Sequence, residues 1–261
     1  MTPGMLLILI ALLASGLMFV LWRYEVRHND AGVVDVGWSL GLGLSVTLLA
    51  LLGEMPGTHR LAVALVAAPW AYRLALYLLI DRVRGKAEDG RYQALRARWG
   101  ANAHRNFFWF FQFQAGLVWL FALPFLNAMH AGGGLVFLVV GVLWGWGAIL
   151  GESIADAQLR RWRTQPENLG KTCRAGLWRY SRHPNYFFEW LHWWAYVWMC
   201  LPTLWALPAL LGPAIMLLFL FRVTGIPYTE AQALRSRGED YRAYQRETSA
   251  FIPWFVKRGG A

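Results

Sequence analysis

Three runs of polar residues, each spaced to lie along one side of a helix, are the parts of this sequence equipped for chemistry. In 176–194, GLWRYSRHPNYFFEWLHWW, a basic segment with Arg179, Arg182 and His183 passes through Pro184 into an aromatic helix. That helix still carries Asn185, Glu189 and His192 at i, i+4 and i+7. Upstream, Glu152, Asp156, Arg160 and Arg163 recur at i, i+4, i+8 and i+11, and earlier Trp70, Arg73, Tyr77, Asp81 and Arg84 repeat at helical spacing. The planar fork of arginine makes bidentate, charge-assisted hydrogen bonds and suits phosphate. Carboxylates and an amide on the same stripes add oriented hydrogen bonds. Together they describe recognition of a phosphate-bearing soluble ligand. The plainer reading of 152–163 is a solvated helix end, and of Asp81 and Arg84 an interfacial anchor. Ionisable groups at membrane depth, such as Arg73, Glu189 and His192, are costly enough to suggest a site.

The elements that must hold these residues are membrane helices. The chain has 261 residues, is 57% hydrophobic and contains sixteen Trp, more than a soluble domain of this size needs. Apolar runs at 5–22, 34–52, 61–80, 115–129, 135–159, 184–201 and 204–223 come near the roughly 20 helical residues that cross a hydrocarbon core. The expectation is an all-α polytopic fold in one domain, 1–261, with seven transmembrane helices and loops that cap a cofactor. Gly37, Gly41 and Gly43 in the second run, and Gly141, Gly145, Gly147 and Gly151 in the fifth, allow close helix approach. The segment 82–114 reads as a polar, aromatic loop or an interfacial helix.

A net charge of +10 could suggest nucleic acid, but the basic residues collect in alternate loops, which is a topology signal. The segments after the first, third and fifth runs, and the tail with Arg235, Arg237, Arg242, Arg246, Lys257 and Arg258, carry nearly all of them. The opposite side has Arg60. The first run has no basic residue before it, so it reads as a retained span rather than a signal peptide. This predicts an outside N-terminus, a cytoplasmic C-terminus, a bacterial inner membrane location and no nucleic-acid partner. Cys173 and Cys200 fall at opposite ends of a span and are expected to be reduced thiols. The sequence has no G-x-G-x-x-G after a strand, no Walker loop and no metal-ligand spacing, so any nucleotide must be held by helices and loops, and no metal is expected.

GLWRYSRHPNYFFEW, with ESIADAQLRRWR before it and GEDYRAYQRETSAFIPW after it, resembles the membrane steroid 5α-reductase superfamily, and most its bacterial branch. DVGWSLG, RLALYL followed by EDGRYQALRARWG, and FFQFQ extend the resemblance over about 35–254, with the superfamily's C-terminal region at about 115–258. It implies seven membrane helices, NADPH held between bundle and loops, and hydride transfer to an enone carbon of a lipid-like substrate, a steroid or other enone. Glu152 and Asp156 match the superfamily's N-x-x-x-D, with Glu in place of Asn. Arg163 matches an arginine associated with cofactor phosphate. Asn185, Tyr186 and Glu189 match N-Y/F-x-x-E. Asp81 and Arg84 match N-R-x-R, with Asp in place of Asn.

The resemblance thereby points to Arg84, Glu152, Asp156, Arg160, Arg163, Arg179, Arg182, His183, Asn185, Tyr186, Glu189 and Glu230 as the cofactor side. At the substrate end Asp35 falls near a ketone-polarising Glu and Trp70 near a Tyr, with Tyr72 and Tyr77 close by. Asp35, Tyr72 and Tyr77 are the expected catalytic groups, because a developing enolate oxygen needs a neutral carboxylic acid or a Tyr, and a desolvated Asp35 with a raised pKa could serve. R-H-P-x-Y followed by a tail with acidic and tyrosine residues also resembles S-adenosylmethionine-dependent membrane methyltransferases of the isoprenylcysteine or phospholipid type. That is the second reading, and a non-catalytic lipid-binding or transport protein is a third.

Overall fold

The structure is a computed structural model that describes residues 1–223 and 225–256. Lys257 and Arg258, counted above with the basic tail, lie outside the described residues. Helices make up the fold, and among the described residues there is no strand beyond an isolated bridge of Ser181 with Ser249. The helices are α1 (Pro3–His28), α2 (Val33–Leu52), α3 (Gly57–Leu78), α4 (Gly90–Trp99), α5 (Ala103–His130) and α6 (Leu135–Arg163). They continue with α7 (Pro184–Cys200), α8 (Ala206–Ala209), α9 (Leu211–Leu218), α10 (Ile226–Arg237) and α11 (Glu239–Glu247).

Six helical runs are long and apolar enough to cross a membrane, which makes this a multi-pass membrane protein. They are α1, α2, α3 continued to Val83, α4 with α5, α6, and Ala206–Arg237. The expected sixth span, α7, has 17 residues and is about 25 Å long, short of a core about 30 Å thick. Two expectations shift. The aromatic end of 82–114 is not loop, because Phe107 and Phe111 join Ala115 on the buried face of α5 and the helix starts at Ala103. The last run is not one helix, because Pro208 and Pro213 divide it into α8 and α9, followed by a π-helical turn at 219–223.

The chain forms two compact units, Met1–Leu138 with Met199–Ala209, and Val139–Trp198 with Leu210–Ala261. In the first, α2 is the central helix. A Cβ on Gly37 would meet Leu21 of α1, one on Gly41 would meet Val118 of α5, and one on Gly43 would meet the Tyr72 ring of α3. The three glycines therefore set how close three neighbours come. Trp38 packs edge-on against Trp70 and Phe121 in the core they enclose. Local signals bound the outer helices. Thr2 caps α1 by accepting from the Met5 amide, and Asp89 caps α4 by accepting from the Arg91 amide.

In the second unit the polar half of α6 and the start of α7 lead into the helical pair α10 and α11. These two join through Gly238 at φ 52°, a conformation that favours glycine, and pack through Ala233, Tyr241 and Tyr244. Cys173 and Cys200 are both buried free thiols.

The glycine geometry makes a prediction. Gly41→Val should overpack the α2–α5 contact and cost about 1–3 kcal/mol. Gly116→Val, which meets nothing within 4 Å, should melt close to wild type in the same detergent.

Candidate functional site

The basic segment before α7 is held by its own side chains. Trp178 donates its indole N–H to the Ala155 carbonyl (2.9 Å), and the Gln158 carboxamide accepts from the Leu177 amide (2.8 Å), so the segment is fastened to the end of α6. The Tyr244 hydroxyl reaches the carbonyls of Trp178 and Ser181, and Ser181 donates to the Phe251 carbonyl (2.8 Å). Arg182 spans the remainder. Its amide donates to Ser249 (2.8 Å), and its guanidinium donates to the carbonyls of Gln245 (3.0 Å) and Thr248 (2.7 Å) and to Glu230 Oε1 (2.6 Å).

Glu230 is the centre of that arrangement. His183 Nε2 lies 3.3 Å from the oxygen that Arg182 holds, and Gln245 donates to the other at 2.8 Å. The side chains of Arg182, His183 and Glu230 are 11%, 7% and 16% exposed. Tyr186 stacks parallel on His183 with ring centroids 5.4 Å apart. Arg182, His183 and Glu230, all expected on the cofactor side, thus satisfy one another. A second clamp, Arg174 on Glu247 (3.0 Å) and Asp240 (3.3 Å), ties the preceding loop to α11.

The α6 stripe meets α7 at one defined point. Asn185, the second residue of α7, donates its amide N–H to Asp156 Oδ1 at 3.3 Å, and Asp156 is buried, as is Glu152 one turn before it. Two turns beyond Asp156 on the same face, Arg163 comes close enough to Arg237 for their charges to repel, with Cys173 near both. Arg237 also lies over the Tyr241 ring, 5.1 Å from its centroid. Folding therefore assembles a buried amide–carboxylate pair and a cationic pair along one side of α6. Arg237 was counted above only as a topology charge; its position in the last turn of a polar helix gave no sign of a partner so far back in the chain. Arg160 is exposed, and Glu189 is half-buried on α7. Arg179 belongs elsewhere, lining an apolar groove on the other side of α6.

In the first unit, Asp35 accepts from Arg91 (2.7 Å) and from the Tyr92 hydroxyl (2.7 Å), and Arg91 also bonds Asp89, which Arg82 reaches at 3.2 Å. Burial would raise the Asp89 carboxyl, but the Arg91 guanidinium and amide hold it below the usual range. Beside this cluster Glu25, fully buried, accepts from Arg96 (2.8 Å) and faces His104 (3.0 Å). These pairs fasten α4 to α1 and α2. Asp35, expected above as a catalytic group, is thus an acceptor for both Arg91 and Tyr92. The Tyr72 hydroxyl shares a hydrogen bond with Thr47 (2.9 Å) on a half-open face of α3, Tyr77 is half-buried a turn and a half further on, and Arg84 is exposed.

A family model described as a protein of unknown function, DUF1295, matches residues 21–248. The chain belongs to this family. The matched region holds the Glu230 centre, the Asp156–Asn185 pair, both arginines of the cationic pair and the Asp35 cluster, so each lies in the part shared with DUF1295. Comparisons with curated proteins and with solved structures return no match.

Removing Glu230 leaves Arg182 and His183 nearly buried without their carboxylate. Glu230→Ala should cost about 3–5 kcal/mol in detergent unfolding, and Glu230→Gln less. A pH effect also follows. Burial pushes the His183 imidazole below its ordinary value of about 6.5, with Glu230 opposing. The unfolded chain then takes up the proton first, so this stability is present above about pH 6.5 and is lost as pH falls through the lower folded value. Melting temperature should fall more steeply from about pH 6.5 to 5 in wild type than in His183→Gln.

Proposed function

We propose that this DUF1295 protein is an NADPH-dependent reductase of a C=C bond conjugated to a carbonyl, acting on a steroid-like or other lipid enone within the membrane. The observation that carries the reading is the α6 stripe, where Arg163 and Arg237 converge two turns, about 10 Å, from the Asp156–Asn185 pair. Two guanidiniums that repel each other fit a dianionic phosphate, which relieves that repulsion and takes their forks bidentately. With one N–H on Asp156, the Asn185 amide keeps one N–H and its carbonyl oxygen. That is the complement of another carboxamide, the group a nicotinamide ring carries. NADPH, when bound, supplies the hydride.

The residues of this chain would hold the phosphate at Arg163 and Arg237 and orient the ring end through Asn185, itself fixed by Asp156. The proton that completes the reduction calls for a hydroxyl or a neutral acid. Tyr72 and Tyr77 have hydroxyls, whereas Asp35 is an ion-paired acceptor. The topology belongs to the same proposal: seven crossings that include α7, an outside N-terminus and a cytoplasmic C-terminus in a bacterial inner membrane. It is supported by the basic residues in alternate loops. The methyltransferase reading would draw on Glu230, the acidic residue of the tail, but both oxygens of Glu230 already accept from Arg182 and Gln245.

Mass spectrometry of the nucleotide that co-purifies with detergent-solubilised protein should find NADP(H). S-adenosylhomocysteine in its place would favour the methyltransferase. Arg163→Ala and Arg237→Ala should each weaken NADPH binding on the order of tenfold while changing NADH affinity little, because the lost contact is to the extra phosphate. Asn185→Ala should weaken both. NADPH affinity unchanged in all three variants would remove the site.

A further inference from the structure

The side of α6 that turns away from Asp156 and Arg163 carries a groove of about 560 Å³, lined by Gly147, Leu150, Gly151, Ile154, Phe188 and, at one end, Gln158, Arg179 and Tyr180. The groove follows three turns of a helix long and apolar enough to cross a membrane, about 16 Å, and its walls are almost wholly apolar. Its floor exists because of two glycines. A Cβ on Gly147 meets nothing within 4 Å, and Gly151 is held bare because a Cβ would strike the Phe188 ring. Leu150 and Ile154 are 57% and 49% exposed on the wall.

The end of the groove is polar and cationic. Arg179 has no hydrogen bond or ion pair among the described residues, unlike Arg174 and Arg182 on either side of it. Just beside it the tail is pinned along the same segment, with the Trp254 amide donating to the Tyr180 carbonyl at 2.9 Å. The Trp254 and Phe255 side chains remain open, at 66% and 78% exposed. Exposed Trp with an adjoining arginine is the residue chemistry of the headgroup layer, where amphipathic rings settle.

We infer that this groove holds one acyl chain of an anionic membrane phospholipid, with the lipid phosphate on the Arg179 guanidinium and the Tyr180 hydroxyl. Charge complementarity selects the headgroup, and the apolar length selects the chain. The inference stands apart from the reductase reading, since the groove and the Asp156–Arg163 stripe lie on opposite sides of α6.

The test uses the full-length protein in nanodiscs of equal phosphatidylglycerol and phosphatidylcholine, with the lipids retained on release weighed by native mass spectrometry. Wild type should retain one phosphatidylglycerol per chain in preference to phosphatidylcholine. Arg179→Gln should reduce that preference about tenfold, the scale of one charge-assisted contact. Gly147→Phe, which places a ring in the open floor, should lose the retained lipid while keeping its melting temperature and its affinity for NADPH. Equal retention of the two lipids by wild type, a reading that needs no variant, would overturn the inference. So would full retention of phosphatidylglycerol by Gly147→Phe, or lipid-free dimers that place a second copy in the groove.

Discussion

The Arg182–Glu230 ion pair is the interaction on which the second unit depends. A guanidinium and a carboxylate that are both nearly buried are expensive to desolvate, and such a pair holds only when its other donors and acceptors are also met. Here they are. Arg182 spreads its remaining donors over the carbonyls of Gln245 and Thr248, and Glu230 gives its second oxygen to Gln245. The pair joins residues 48 positions apart, the loop before α7 and the helix α10, and thereby fixes where α7 begins. Asn185 is three residues beyond Arg182, so the placement of its amide on Asp156 follows from the ion pair.

The same logic separates two kinds of arginine. Arg91, Arg96, Arg174 and Arg182 are neutralised by carboxylates of the chain and act as fasteners. In the first unit they secure α4 to the bundle through Asp35 and Glu25, with Tyr92 and His104 completing the acceptors. Arg163 and Arg237 approach each other, and Arg179 stands alone at the end of an apolar groove. The +10 charge of the chain is therefore not spread evenly in function. Part of it is consumed internally, and part lies on the two sides of α6.

How much of this was legible in the sequence depends on range. Apolar runs placed α1, α2, α3 and α6 to within a few residues, because a membrane span must be apolar over its whole length. Arg105, Asn106 and Gln112 interrupted the hydropathy of α5 and made its first turns look like loop, although Phe107 and Phe111 were already on its buried face. Pro208 and Pro213 gave a readable warning that the last run would break. The stripe spacing of Asp156 and Asn185 was readable as two faces, and the structure brings them together. That Arg182 and His183 would both meet Glu230, or that Asp35 would receive Arg91, was not readable. These contacts join residues about 50 positions apart, and no local periodicity encodes them.

Arg163 on α6 and Arg237 on α10 approach each other closely enough for their charges to interact. The positive charge of Arg163 opposes that of Arg237, whereas Arg91 and Arg182 are each met by a carboxylate at short range. Tyr241 under Arg237 supplies a cation–π contact, and the Asp240 carboxylate acts on the same charge. In the reductase proposal a nucleotide phosphate is the negative charge received where these two guanidiniums approach each other.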